Sequence, residues 1–228
     1  MPLSAVGEAP NPWFSWTYVE NNVDKLIAAG EQHVLITLAA MGLSIAIAVP
    51  LAVLVRTWRP IETPMLVLTG ILYTIPSLAM ITALWPVFGL SALTVVVALA
   101  AYALLIVLRN ILVGLEGVSP VTVDSAQGMG LSKIRILWQV EVPLALPAIL
   151  AGIRLATVST VGLVTIGALV GYGGYGSLIL NGFINNFYHA EIMTATILTV
   201  LLALIFDLLL QGLERLATPW AHSARRRS

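Results

Sequence analysis

Long apolar runs, short polar breaks and one extended polar island set the pattern of the chain. The first run, from about Val34 to Val55, carries no charge over twenty-two residues, enough for a helix across a hydrocarbon core of about 30 Å. It ends at Arg56-Thr57-Trp58-Arg59-Pro60. From Thr63 to Leu108 there is again no charge, and a run of that length must hold more than one span. Trp85-Pro86-Val87-Phe88-Gly89 supplies the turn that divides it. The pattern predicts five membrane-spanning helices over residues 34–55, 64–84, 90–108, 148–169 and 192–213, an all-α integral membrane fold. A polar connection over 114–147 separates the third span from the fourth. Residues 1–32 form a leading tail rich in Pro and aromatics, and 215–228 a basic tail.

Within the leading tail the pattern turns amphipathic at Tyr18, with Val19, Val23, Leu26 and Ile27 on one stripe. A helix lying in the interface fits, as does a plain leader to the first span. The segment 171–190 is rich in glycine and aromatics and predicts a broken helix at the outer face.

Composition agrees with the pattern: 59% of residues are hydrophobic and 10% charged, and mean hydropathy is +0.96, far from a water-soluble domain. Eleven basic residues balance eleven acidic ones, so nothing points to nucleic acid. The lack of cysteine removes disulfides, thiolate metal sites and a cysteine nucleophile; no residue is singled out as catalytic or metal-binding. The N-terminus has no basic n-region and carries Glu8, Glu20 and Asp24 before the first long run, so it is expected to be retained. With five spans, one side collects Arg56, Arg59, Arg109, Lys133, Arg135, Arg154, Arg215 and three terminal arginines, and only Lys25 falls opposite. Basic loops stay cytoplasmic, which predicts the N-terminus outside and the C-terminus and the island inside.

The island itself reads as two helices and a hinge. Ser119 is the candidate N-cap of the first, with Pro120 at its first position, and Gly130 fits the left-handed residue past its end. Ser132 is placed to cap the second, Lys133 to about Val142, which is expected to stop ahead of Pro143.

These residues resemble the EAA signature of ATP-binding-cassette importer permeases, which runs Glu-Ala-Ala, three residues, Gly, nine residues, Ile, one residue, Leu-Pro. Here Asp124-Ser125-Ala126, Gly130, Val140, Val142 and Pro143 keep that spacing with conservative replacements. The likeness extends through 70–79, 102–110, 146–154 and 167–179, where it is similar to the permeases for glycine betaine, carnitine and choline, and covers roughly residues 30–215. It implies a MetI-like type I permease fold in a bacterial-type cytoplasmic (inner) membrane, and a mechanical role in import of osmoprotectants. The first island helix, about Val121 to Met129, would dock in a separate ATP-binding subunit present in two copies. Asp124, Ser125, Ala126, Gly128, Gly130, Lys133, Arg135 and Pro143 are the coupling candidates. The chain has no GxxxxGK[ST] loop, so ATP and Mg are expected on that partner and no cofactor here. A second permease subunit, identical or paralogous, and an extracytoplasmic substrate-binding protein complete the expected machine.

Other residues carry two readings each. Pro76, mid-span, kinks the helix either to shape a gate or for packing alone. Tyr73 and Tyr102 are further candidates for the path or gate. Tyr172 and Tyr175 suit either a cation contact or an interfacial aromatic belt. Arg154 is a partner for Glu141 or Glu116, or an anchor at the cytoplasmic side. Asp207 must snorkel or pair, an arginine being the natural mate. Related importers for another solute, such as an amino acid or a thione-containing betaine, keep the same architecture. An ion-coupled secondary transporter would show inverted repeats and clustered membrane acids, and neither is present in the sequence. His33, His189 and His222 lie near span ends or in a tail with no nucleophile motif, which leaves an intramembrane hydrolase without support.

Overall fold

The computed structural model of the chain describes residues 11–220; the Pro10 end of the aromatic tail and the terminal residues His222 and Arg225 to Arg227 lie outside them. No strand occurs among the described residues. The helices are α1 (Trp16–Asn21), α2 (Val23–Thr57), α3 (Glu62–Thr74), α4 (Ser77–Phe88), α5 (Ala92–Glu116), α6 (Pro120–Gly128), α7 (Lys133–Ile136), α8 (Val142–Val164), α9 (Tyr175–Ile184) and α10 (His189–Ala217).

Four helical bodies are long and apolar enough to cross a membrane: α2, α5, the run 133–170 that contains α8, and α10. The fifth crossing is the pair α3 and α4, whose axes differ by 98°. That pair runs the whole length of α5 and is therefore one span rather than a re-entrant hairpin. At one end Glu62 of α3 shares a cleft with Leu112, Leu115 and Glu116 of α5; at the other the Thr94 hydroxyl donates to the Gly89 carbonyl at 2.6 Å. The expected kinked second span is in fact a broken one. Ile75 is extended (ψ 128°), as the residue before a proline prefers, and α4 starts afresh behind Pro76.

Three boundaries differ from expectation for identifiable reasons. The turn placed at Trp85 to Gly89 is only Gly89 to Ser91: α4 continues through Pro86, and the Ser91 hydroxyl caps α5 by accepting from the Thr94 amide. Arg109 does not close the third span, because α5 runs two further turns to Glu116 on the buried stripe Ile111, Leu112 and Leu115. The separate interfacial helix is the start of α2, which rises unbroken from Val23; only the six residues of α1 precede it. At 35 residues α2 is about 52 Å long and projects beyond a 30 Å core.

The central helix is α5, packed on α2, α8, α3 and α4. Its core face joins Val107, Leu108 and Leu115 to Ala48, Ala52 and Val55 of α2 and to Ala145 and Ala156 of α8. Lipid tails are as apolar as leucine, so such helices associate by close packing over small residues. Gly152 of α8 shows how close: a Cβ there would sit 2.2 Å from the Asn110 Cβ. By contrast α10 exposes Val200, Leu201, Leu204, Ile205, Leu208 and Leu209, a face suited to lipid.

The chain's charges sort to the two ends as the alternation of spans requires. Lys25 pairs with Glu191 at 2.7 Å where α2 and α10 begin. Arg154 pairs with Asp207 at 2.6 Å and approaches Glu214 at 3.8 Å toward the end of α10. The first of these acids fulfils the expected pairing of Asp207, while Arg154 takes neither Glu141 nor Glu116.

Candidate functional site

The polar island is built on α5, whose C-terminus delivers Val118 into the core and turns into α6 at Ser119. Ser119 and Ser132 occupy the N-cap positions of α6 and α7, but neither side chain makes the expected capping bond; the first-turn amides of Thr122 and Val123 fall back on the Ser119 carbonyl. Pro120 sits in the first turn as expected. Gly130 adopts φ +82°, the left-handed conformation an L side chain resists, and so terminates α6 where the spacing placed the hinge.

α6 is laid against the protein by a narrow seam. Ala126 is buried and Val123 packs on the Val118 and Leu137 core, while Asp124, Ser125, Gln127 and Gly128 face outward. The Ser125 hydroxyl donates to the Val121 carbonyl at 2.7 Å. Among the described residues no ion pair holds Asp124, Lys133 or Arg135. Interleaved with these free charges are large apolar side chains in the open: Val121 (73% exposed), Met129 (75%), Ile134 and Trp138. An exposed apolar set rimmed by unpaired charge, away from the membrane-spanning faces, is the make-up of a protein-docking surface. Val121, Met129, Ile134 and Trp138 were not among the sequence candidates; their signal was apolar residues out of phase with the buried Val123 and Ala126.

Beyond the hinge the expected stop at Pro143 does not occur. The backbone passes from α7 through a π-turn, Leu137–Glu141, directly into α8 with Pro143 in its first turn. Proline removes one N–H and crowds the carbonyl four residues back, and the wider π-turn accommodates both. The turn also carries Glu141 inward. Glu141 is 3% exposed and takes both donors of Arg56 from the end of α2, Nε at 3.0 Å to Oε2 and Nη2 to Oε1. This pair, absent from the sequence reading, ties the island to the first span. Clefts of about 240 and 460 Å³ flank Arg56, Arg59 and Val123, with Asp124 and Glu116 in the first and Gln127 and Lys133 in the second.

Of the membrane candidates, three come together. Tyr102 donates its hydroxyl to the Ile75 carbonyl at the helix break, and its ring meets that of Tyr73 edge-on at 5.9 Å, beside Pro76. Tyr172 and Tyr175 are elsewhere and apart. Tyr172 packs with Ile36, Val95 and Val164, whereas Tyr175 packs with Tyr18, Leu26 and Leu178, so they form no common cage.

Tyr175 belongs to a clamp on His33, which is fully buried. His33 Nε2 lies 2.9 Å from the Val161 carbonyl, and Nδ1 accepts from the Tyr175 amide at 3.3 Å. One nitrogen faces an acceptor and the other a donor, which assigns the neutral Nε2–H tautomer. Gln32 adds a bond from the Gly174 amide at 2.9 Å. Gly174 has φ +53°, and a Cβ on it would meet His33 at 2.5 Å. The glycines thus let the chain pass over the histidine, and α9, which the sequence reading missed, follows. Nearby, burial and then the charge of Glu191 push the Tyr18 hydroxyl well above its ordinary pKa, so it stays neutral.

Comparison with known proteins adds the following. The family described as "Binding-protein-dependent transport system inner membrane component" matches residues 35–219. The glycine betaine/carnitine/choline transport system permease protein OpuCD of Bacillus subtilis is 34% identical over 203 residues, 89% of each chain. The osmoprotectant import permease protein OsmW of Salmonella typhimurium is 35% identical over 207 residues, 89% of this chain and 96% of its own. Among solved structures, an inward-facing MetNI methionine ABC transporter superposes with a TM-score of 0.80 at 19% identity, over 87% of this chain and 99% of the other. At that identity the match speaks for the fold.

Proposed function

The chain belongs to the family of binding-protein-dependent transport system inner membrane components, and from that premise we propose that it moves quaternary-ammonium osmoprotectants of the glycine betaine, choline and carnitine type inward by alternating access. It is a transport permease subunit of the inner membrane. The observation that carries the substrate class is the 34% identity to OpuCD over 89% of both chains, including the island and the helix break. Members of the family work with a substrate-binding protein and an ATP-binding subunit. Here the docking surface for the latter is α6 with its hinge: Asp124, Ser125 and Gly128 outward, Ala126 as the seam, Gly130 as the turn, and Lys133 and Arg135 alongside. Pro143 starts the span that carries the motion into the membrane. Nucleotide, magnesium and hydrolysis are assigned to the partner subunit, present in two copies about a pair of permeases.

The test is uptake of labelled glycine betaine by cells carrying the complete transporter, with ATP depleted independently of the membrane potential. Uptake that requires ATP and is lost in an assembled Gly130→Trp transporter is the expected result. Uptake that follows the ion gradient would overturn the ATP-driven reading. ATP hydrolysis by an assembled complex without uptake of any quaternary amine would overturn the substrate class.

A further inference from the structure

The break between α3 and α4 lies midway between Glu62 and Gly89, hence near the middle of its span. Three carbonyls of this region are bonded: Ile71 by the Thr74 hydroxyl, Leu72 by the Ile75 amide, and Ile75 by the Tyr102 hydroxyl. Those of Tyr73 and Thr74 have no donor among the described residues. Irregular backbone at membrane depth is tolerated only against protein or along a water-filled passage, so this side of the helix pair does not face lipid. Tyr73 at this break is 45% exposed, with the buried ring of Tyr102 edge-on against it. No acidic residue lies between Glu62 and Glu116, so a cation here meets ring faces and carbonyl oxygens at the C-terminal, electronegative end of α3, and no fixed carboxylate.

We propose that Tyr73, seated on Tyr102 at the broken end of α3, is a transient site for the quaternary ammonium group in transit; this rests on the transport reading above. A trimethylated nitrogen has no hydrogen to donate and cannot lose its charge. An aromatic face attracts it while leaving it free to move on, whereas a carboxylate at this depth would hold it. Tyr102 is a positioning residue: it fixes the free end of the broken helix by its hydroxyl and the attitude of Tyr73 by its ring.

The test uses the complete transporter in proteoliposomes, with residue 73 changed to phenylalanine and then to phenylalanine bearing one, two and three ring fluorines. Fluorine drains the ring face of negative potential with little change in size. The expected result is a stepwise decline in choline uptake across the fluorinated series, about five-fold in all relative to Tyr73→Phe. A flat series, with Tyr73→Leu transporting like the parent, would overturn the site while leaving the substrate class standing. A parent complex that transports neither choline nor glycine betaine would overturn both. Because the phenylalanine variants preserve the packing on Tyr102, the series reads the ring's charge distribution rather than folding.

Discussion

Replacing Arg56 should damage this protein more than replacing its partner. Glu141 is 3% exposed and receives two charge-assisted hydrogen bonds from the Arg56 guanidinium, itself about one-quarter exposed at 28%. Arg56→Met leaves a carboxylate buried without its counter-ion, a situation that costs about 3–5 kcal/mol. Glu141→Gln leaves an arginine that can swing to water and a neutral amide that can still accept, so its cost is expected near 1 kcal/mol. The double variant Arg56→Met, Glu141→Gln removes both charges and should recover about half of the loss, a coupling of about 2–3 kcal/mol in the cycle. The assay is thermal unfolding of the purified complex in detergent, where the single arginine variant should melt on the order of 10 °C lower. Equal, small losses for both single variants, with additive behaviour in the double, would refute the reasoning and reduce the pair to a surface contact.

Further expectations follow from individual contacts. Gly130→Val should abolish ATP-dependent uptake while Gly130→Asn retains a substantial part of it, because space around the position is open and only the φ of +82° restricts it. Gly152→Leu should prevent assembly, seen as loss of the complex on size-exclusion chromatography, and Asn110→Gly should restore part of it by removing the Cβ that a side chain at 152 meets at 2.2 Å. Asp207→Asn should lower thermal stability by about 1–3 kcal/mol with no change in the solute profile, because Arg154 keeps Glu214 within reach at 3.8 Å.

How far the sequence could be read depended on which rule governed each residue. Length and hydropathy located four long helices and the apolar run that holds the bent pair α3 and α4, because a hydrocarbon core of about 30 Å needs about twenty apolar residues in a row. The Asp124 to Gly130 register located the hinge, because a left-handed turn has few substitutes for glycine. Burial partners were less accessible. Arg154 and Asp207 lie 53 residues apart and Arg56 and Glu141 lie 85 apart, and nothing local sets which acid a given arginine meets. His33 looked like a span-end histidine because its two partners, Val161 and Tyr175, come from α8 and from the start of α9.

The prolines show why local rules alone mislead in this protein. Pro76 and Pro143 each follow a residue that the rule biases away from helix, and the rule predicts a stop at both. At Pro76 it holds: Ile75 is extended, and the freed Ile75 carbonyl is taken by Tyr102 of a neighbouring span. At Pro143 the helix continues, because Leu137 and Glu141 are both buried and the π-turn keeps them so while making room for the ring. What differs between the break and the bulge is the contact that a neighbouring span makes with the segment, to backbone at Pro76 and to a side chain at Pro143. A tyrosine hydroxyl reaching from α5 permits a right-angle break, whereas an arginine gripping Glu141 from α2 holds the helix in line. By this reasoning Tyr102→Phe, which deletes one oxygen, should loosen the break at Pro76. Hydrogen exchange over 71–78 should rise while exchange over 133–145 stays as it was, and equal protection in the variant and the parent would show that Tyr102 does not hold the break.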